Sequence, residues 1–183
     1  MKSRIEDYFS NLKNTIDKIS KDDILKFAEI ISSTEGKNTI YVLGNGGSTS
    51  IASHFACDFV KDIAVASNKR FKIISLSDNI ATITAYSNDM DYSLIFIEQL
   101  KNFLEKDDVV VAISGSGNSN NVLQAVEYAN KEGATTVALT GFDGGELIKM
   151  AQHTILVPSF DMQIVQDCHM ATIHLLMQII KEM

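Results

Sequence analysis

Hydrophobic positions change their period along this chain. Ile5, Phe9, Leu12, Ile16 and Ile19 recur at helical spacing. Ser20, with Asp23 three residues later, has the form of a capping box and restarts the chain as a second helix ending near Gly36. From residue 39 onward the apolar positions gather into short runs instead. The runs 39–43, 71–75, 108–113, 135–139 and 154–157 read as five strands, and 108–113 is apolar enough to be buried on both faces. Helical stretches lie between them: after Ser48, over 78–87 and 92–104 around a turn at 87–89, over 121–131, briefly after Gly145, and over 162–181 at the end. This alternation predicts an α/β fold, a three-layer α/β/α sandwich around a five-stranded parallel sheet. Residues 1–36 form a helical arm and 37–183 the domain proper. The arm packs either on its own chain or on a neighbouring subunit.

Two glycine loops fall where such a sheet binds ligands, at the carboxyl ends of its strands. The first, Gly44-Asn-Gly-Gly-Ser-Thr-Ser50, joins the first strand to a helix. The second, Ser114-Gly-Ser-Gly-Asn-Ser119, follows the third strand. Neither fits the GxGxxG dinucleotide pattern, and no Walker lysine follows the second. Hydroxyls and backbone amides at helix N-termini, without lysine, suit a phosphate monoester held by neutral donors. Two such loops on one rim point to a sugar-phosphate site.

Composition narrows the partners. The chain has 183 residues and a formal net charge of −7, which argues against nucleic acid. No apolar run is long enough to span a membrane, and the N-terminus lacks a signal-peptide core, so a cytoplasmic location is expected. The two cysteines, Cys57 and Cys168, form no CxxC pair and read as reduced thiols.

His54 and Asp58 lie one turn apart on the helix after the first loop, on one face, able to hold a metal or move a proton. The last helix carries Gln166, Asp167, His169 and His174. Gln166 and His174, eight residues apart, are separated by about 80° around a helix and roughly 12 Å along it. To serve one ion they need a bent helix or two subunits.

The motifs GNGGS…HFA, SxSGNS, LTGFDGG and a closing Q-D-x-H-x-x-x-x-H, in this order, resemble the sugar isomerase (SIS) superfamily and, within it, the phosphoheptose isomerases. The resemblance covers nearly the whole chain. It implies the SIS fold, which is flavodoxin-like, and a homotetramer with active sites between subunits and one zinc ion per site. It also implies an aldose–ketose isomerisation of D-sedoheptulose 7-phosphate to D-glycero-D-manno-heptose 7-phosphate, the first step towards nucleotide-activated heptose. On this resemblance the substrate contacts fall on Asn45, Gly46, Gly47, Ser48, Asp58, Asn88, Asp89, Ser114, Gly115, Ser116, Ser119 and Gln166. The metal ligands fall on His54, Asp58, Gln166 and His174. The chain departs from the family pattern at Asp58, commonly Glu, and at Gly115, commonly Thr. It departs also at Ile51 and Gln163, both commonly acidic.

The chemistry needs a base over C1 and C2, an acid at the oxygens and stabilisation of the enediolate. Asp58 is the candidate base and His174 the candidate acid. Two other readings stand beside this one: an isomerase of another sugar phosphate, and a non-catalytic SIS adaptor. The presence of His174 with His54 and Gln166 favours an enzyme.

Overall fold

The computed structural model describes residues 1–183. Five parallel strands, β1 (Thr39–Gly44), β2 (Lys72–Ser75), β3 (Val109–Ser114), β4 (Thr135–Thr140) and β5 (His153–Leu156), form one sheet in the order β2-β1-β3-β4-β5. The order reverses between β1 and β3, which pair directly, with Gly44 opposite Ile113. A doubly wound sheet opens its ligand crevice at that switch point. The two glycine loops leave from these two strands.

Strand residues alternate between the faces. Ile40 and Val42, with Val109, Val111, Ile113, Val137 and Leu139, join the larger core cluster. Tyr41, Leu43, Val110, Ala112 and Ala138 join the smaller one. The larger cluster is covered by α2 (Lys21–Ser33), α3 (Gly47–Cys57) and α9 (Met162–Glu182), through Phe27, Phe55, Val165 and Ile173 among others. On the other face lie α6 (Ile97–Phe103), α7 (Asn120–Lys131) and α8 (Leu147–Met150), through Leu100, Val122, Val126 and Leu147. This is the expected three-layer sandwich. Every strand-like run of the sequence is a strand.

The helical arm begins with α1 (Lys2–Ile16), and Ser20 caps α2 by accepting from the Asp23 N–H at 3.2 Å. The two helices differ. Ile24, Phe27, Ala28 and Ile31 of α2 are buried in the larger core, whereas α1 buries only Thr15 and leaves Ile5, Phe9 and Ile16 exposed. The Tyr8 hydroxyl ties α1 to α9 by donating to Asp167 at 2.6 Å. That bond to a carboxylate pushes the Tyr8 pKa up to about 12.

Two local departures from the sequence reading sit near the loops. The helix from Gly47 passes into a π-helical turn, Asp58–Ile63, before α4 (Ala64–Ser67). The stretch 92–104, expected as one helix, is a 3-10 turn (Tyr92–Leu94) followed by α6. There the Asp91 carboxylate accepts from the Ser93 N–H at 2.7 Å, a local bond that competes with a helical start. Ahead of that turn, α5 (Ile80–Asp89) carries no buried residue. No helix is long and apolar enough to cross a membrane.

Candidate active site

A cavity of about 180 Å³ opens at the switch point. It is lined by Asn45, Ser48, Ile113, Ser114, Gly115, Ser116, Ser119, Met162 and Gln166. Seven of these are residues the sequence proposed for substrate. None carries a charge.

Backbone polarity explains what such a cavity attracts. In the first loop the carbonyls point into the protein: Gly44 O accepts from the Thr49 and Ser77 hydroxyls (2.7 and 3.1 Å), and Asn45 O and Gly46 O accept from Ser48 and Thr49 N–H. The N–H groups of Gly46 and Gly47 have no protein acceptor. Gly46 has φ +55°, which favours glycine, and α3 begins just after it. In the second loop the N–H groups of Gly115, Ser116 and Ser119 are likewise without a protein acceptor, and α7 begins at the next residue. Gly115, Ser116 and Ser119 line the cavity, and Gly46 and Gly47 stand exposed between its lining residues Asn45 and Ser48, so free N–H groups and two helix N-termini adjoin one cavity, the electrostatics of an anion seat.

The hydroxyls divide. Ser114 Oγ accepts from Gly117 N–H at 3.2 Å and Ser116 Oγ from Asn118 N–H at 3.3 Å, shaping the loop. Ser48 and Ser119 hydroxyls make no hydrogen bond within the protein and are free for a ligand. Asn45 is held rather than free. Its amide pairs reciprocally with Asn121 (2.8 and 2.9 Å), and its Oδ1 also accepts from the Tyr92 hydroxyl at 2.8 Å. Asn121 and Tyr92 escaped the sequence reading. Asn121, two residues past Ser119, was the one with a positional signal.

Two turns along α3 from Gly47, a second group assembles. His54 Nε2 lies 2.9 Å from His174 Nε2 and 3.1 Å from Asp58 Oδ2, and His174 Nε2 lies 3.7 Å from that same oxygen. Asp58 is buried while both histidines reach solvent. These three donor atoms can share one cation. Ligands at 2.0–2.1 Å on a tetrahedral ion stand about 3.3 Å apart. The observed spacings bracket that value, so the donor set fits a divalent cation held by nitrogen and oxygen ligands.

Gln166 sits elsewhere on the same helix. It touches Gly47, whereas His174 touches His54. The helices α3 and α9 thus run side by side in one direction, and α9 is one continuous helix. Gln166 lies at the cavity end, roughly 12 Å along α9 from His174. Asn88 and Asp89 lie at the end of α5, outside the cavity. Asn88 donates to Asp89 at 2.7 Å, and Asp89 lines a separate depression with Thr82, Ala85, Tyr86 and Met90.

The departures from the family pattern have visible surroundings. A Cβ on Gly115 would stand 2.5 Å from Met162 Sδ, so the Met162 thioether fills the place of a side chain there. Ile51 is buried in the larger core, and Gln163 is exposed in the first turn of α9, its N–H donating to Asp161.

The SIS domain family matches residues 7–141. Phosphoheptose isomerase of Thermodesulfovibrio yellowstonii is 37% identical over 167 residues, covering 87% of this chain and 79% of its own. That of Aquifex aeolicus is 34% identical over 154 residues, covering 84% and 80%. The chain belongs to the phosphoheptose isomerase family of SIS-domain proteins. Among solved structures, phosphoheptose isomerase GmhA from Neisseria gonorrhoeae superposes with TM-score 0.89 at 27% identity, over 100% of this chain and 99% of that one. The phosphoheptose isomerase from Francisella tularensis gives 0.88 at 30%, over 99% and 98%. The superposition extends over the full length of the chain.

Proposed function

We propose that this chain interconverts D-sedoheptulose 7-phosphate and D-glycero-D-manno-heptose 7-phosphate, an aldose–ketose isomerisation that opens the route to nucleotide-activated heptose. One observation carries the reading: an uncharged seat of free N–H groups stands about 10 Å along α3 from His54, whose imidazole meets a buried carboxylate and a second imidazole. An open seven-carbon chain spans about the same length from its phosphate to its first two carbons, on ordinary bond lengths.

The two loops hold the phosphate, with Ser48 and Ser119 donating hydroxyls and Gly46, Gly47, Gly115 and Ser116 donating N–H groups. Fixing that end removes the freedom of the reacting end. Asp58 takes the proton from C1 of the ketose and returns it to C2. His174 gives a proton to the C2 oxygen as the enediol forms and takes one from the C1 oxygen as the aldehyde forms. His54 holds the Asp58 carboxylate in place. His54, Asp58 and His174 would hold a zinc ion through the facing Nε2 and Oδ2 atoms, leaving His174 Nδ1 and Asp58 Oδ1 to move protons, with Gln166 of a neighbouring subunit as a further ligand. When bound, zinc supplies Lewis-acid polarisation of a carbonyl oxygen.

The protein works as a cytoplasmic homotetramer with sites between subunits. The exposed apolar face of α1 supports assembly, and in it Asn88 and Asp89, outside their own chain's cavity, would serve a neighbour's substrate.

Turnover of sedoheptulose 7-phosphate by purified protein, with chelator and with added zinc, tests the reading. Chelator-sensitive formation of the heptose 7-phosphate supports it. Folded protein that turns over other phosphoketoses but not this one would overturn the substrate assignment.

A further inference from the structure

The segment after β4, Gly141-Phe-Asp-Gly-Gly145, gives no side chain to the cavity, yet it lies against the second glycine loop along much of its length. A Cβ on Gly117 would stand 2.6 Å from the Gly144 carbonyl carbon, and one on Gly145 2.7 Å from the carbonyl carbon of Gly117. Both glycines, and Gly144, have positive φ. Two backbones meet here with no room for side chains.

The hydrogen bonds across this contact are all of one kind. Gly141 N–H donates to Gly115 O at 3.0 Å, and Leu147 N–H donates to Gly117 O at 2.9 Å. Asn118 fills the gap between them. Its Nδ2 donates to Ser116 O at 3.0 Å, and its Oδ1 accepts from Glu146 N–H at 3.0 Å. Only this orientation of the amide satisfies both partners. Ser114 O accepts from Gly117 N–H at 3.1 Å. Four consecutive carbonyls, 114 to 117, are therefore each bonded to a protein donor, while the N–H groups of Gly115 and Ser116 are not. A carbonyl turned into the cavity would repel a phosphate where an N–H attracts it.

We propose that Asn118 is a positioning residue for substrate phosphate: by bridging Ser116 O to Glu146 N–H it docks the phosphate loop on the 141–147 segment and keeps its carbonyls out of the cavity. The proposal rests on the reading of the two loops as a phosphate seat. Asn118 lines no part of the cavity and acts only through the loop.

The test is Asn118→Ala in the full chain. The residue is exposed, so truncation opens no core cavity. Binding of inorganic phosphate by calorimetry and steady-state kinetics with sedoheptulose 7-phosphate are measured against wild type. Phosphate affinity should fall about tenfold, with a matching rise in KM and kcat within about twofold, the size expected when one or two net hydrogen bonds are lost. A purely structural role would lower thermal stability without that split. Asn118→Asp keeps the acceptor for Glu146 and loses the donor to Ser116, and its phosphate affinity should also fall. Unchanged affinity in either variant, or a loss confined to kcat, overturns the proposal. Failure of wild type itself to bind phosphate would overturn the phosphate seat, and this inference with it, a result distinct from normal binding by the variants.

Discussion

Gly47 leaves its side-chain place to Gln166: a Cβ on Gly47 would stand 2.8 Å from the Gln166 Cδ. The clash falls on the far end of a flexible side chain rather than on backbone. Gly47 is the first residue of α3 and its φ is ordinary, so alanine fits the backbone. Gly47→Ala should therefore fold as well as wild type, with helix propensity favouring it by up to about 1 kcal/mol. It should nonetheless push the Gln166 amide out of the cavity and lower kcat/KM by about tenfold or more, since positioned groups lose that much on small displacements. Equal or higher Tm together with lost activity is the expected pair; unchanged kinetics would mean that Gln166 does not act from this place.

Ser48 and Ser119 carry the two cavity hydroxyls with no partner in the protein, whereas Ser114 and Ser116 Oγ each accept from an N–H of the loop. A hydrogen bond to a charged group contributes about 1.5–3 kcal/mol. Ser48→Ala and Ser119→Ala should each weaken binding of inorganic phosphate about tenfold or more while leaving Tm within a degree or two. Calorimetric titration of the two variants checks this, and affinity equal to wild type in both would remove the hydroxyls from the phosphate contact.

The strands were legible because each carries a short apolar run, and Val109, Val111 and Val110 show why one of them is apolar throughout: they feed opposite cores. Both loops were legible because glycine and serine crowded at strand ends have few other uses. The π turn was not. Phe55, Phe59 and Ile63 recur at intervals of four, all fully buried. On a regular α-helix that interval drifts by about 40° each time. The wider turn at Asp58–Ile63 counters the drift, keeping Phe59 and Ile63 in the core while buried Asp58 faces His54 and His174. Nothing in residue spacing alone announces that choice. Met162 was equally silent, because its role is set by the empty side of Gly115, a residue distant in sequence.

His54, Asp58 and His174 bring two imidazole nitrogens and a carboxylate oxygen within 3.7 Å of one another. Protein prepared with zinc should hold about one ion per site by elemental analysis, as expected for a set with this donor count and spacing. His54→Ala and His174→Ala should each lose most of it, and His174→Ala should also lower kcat by about a hundredfold or more, the usual weight of a positioned acid or base. Full metal content in both histidine variants would place the ion elsewhere.

His169 gives stability a pH dependence that is separate from catalysis. It is fully buried on α9, and its Nε2–H donates to the Thr140 carbonyl at 3.1 Å. Nδ1 is then a buried acceptor with no partner, and protonating it would place an uncompensated charge in the core. Burial accordingly lowers the His169 pKa to about 4, from an ordinary value of 6.5. Between these two values the unfolded chain binds a proton that the folded chain does not, so stability rises with pH across this window and is lost as pH falls through it. The whole span corresponds to about 3 kcal/mol. His169→Asn keeps a donor for Thr140 O and removes the titration. Its unfolding free energy, followed by denaturant titration from pH 7 to 4, should fall less steeply than that of wild type, with the difference concentrated below pH 6.5. Parallel curves for the two proteins would show that His169 is not what makes this core acid-sensitive.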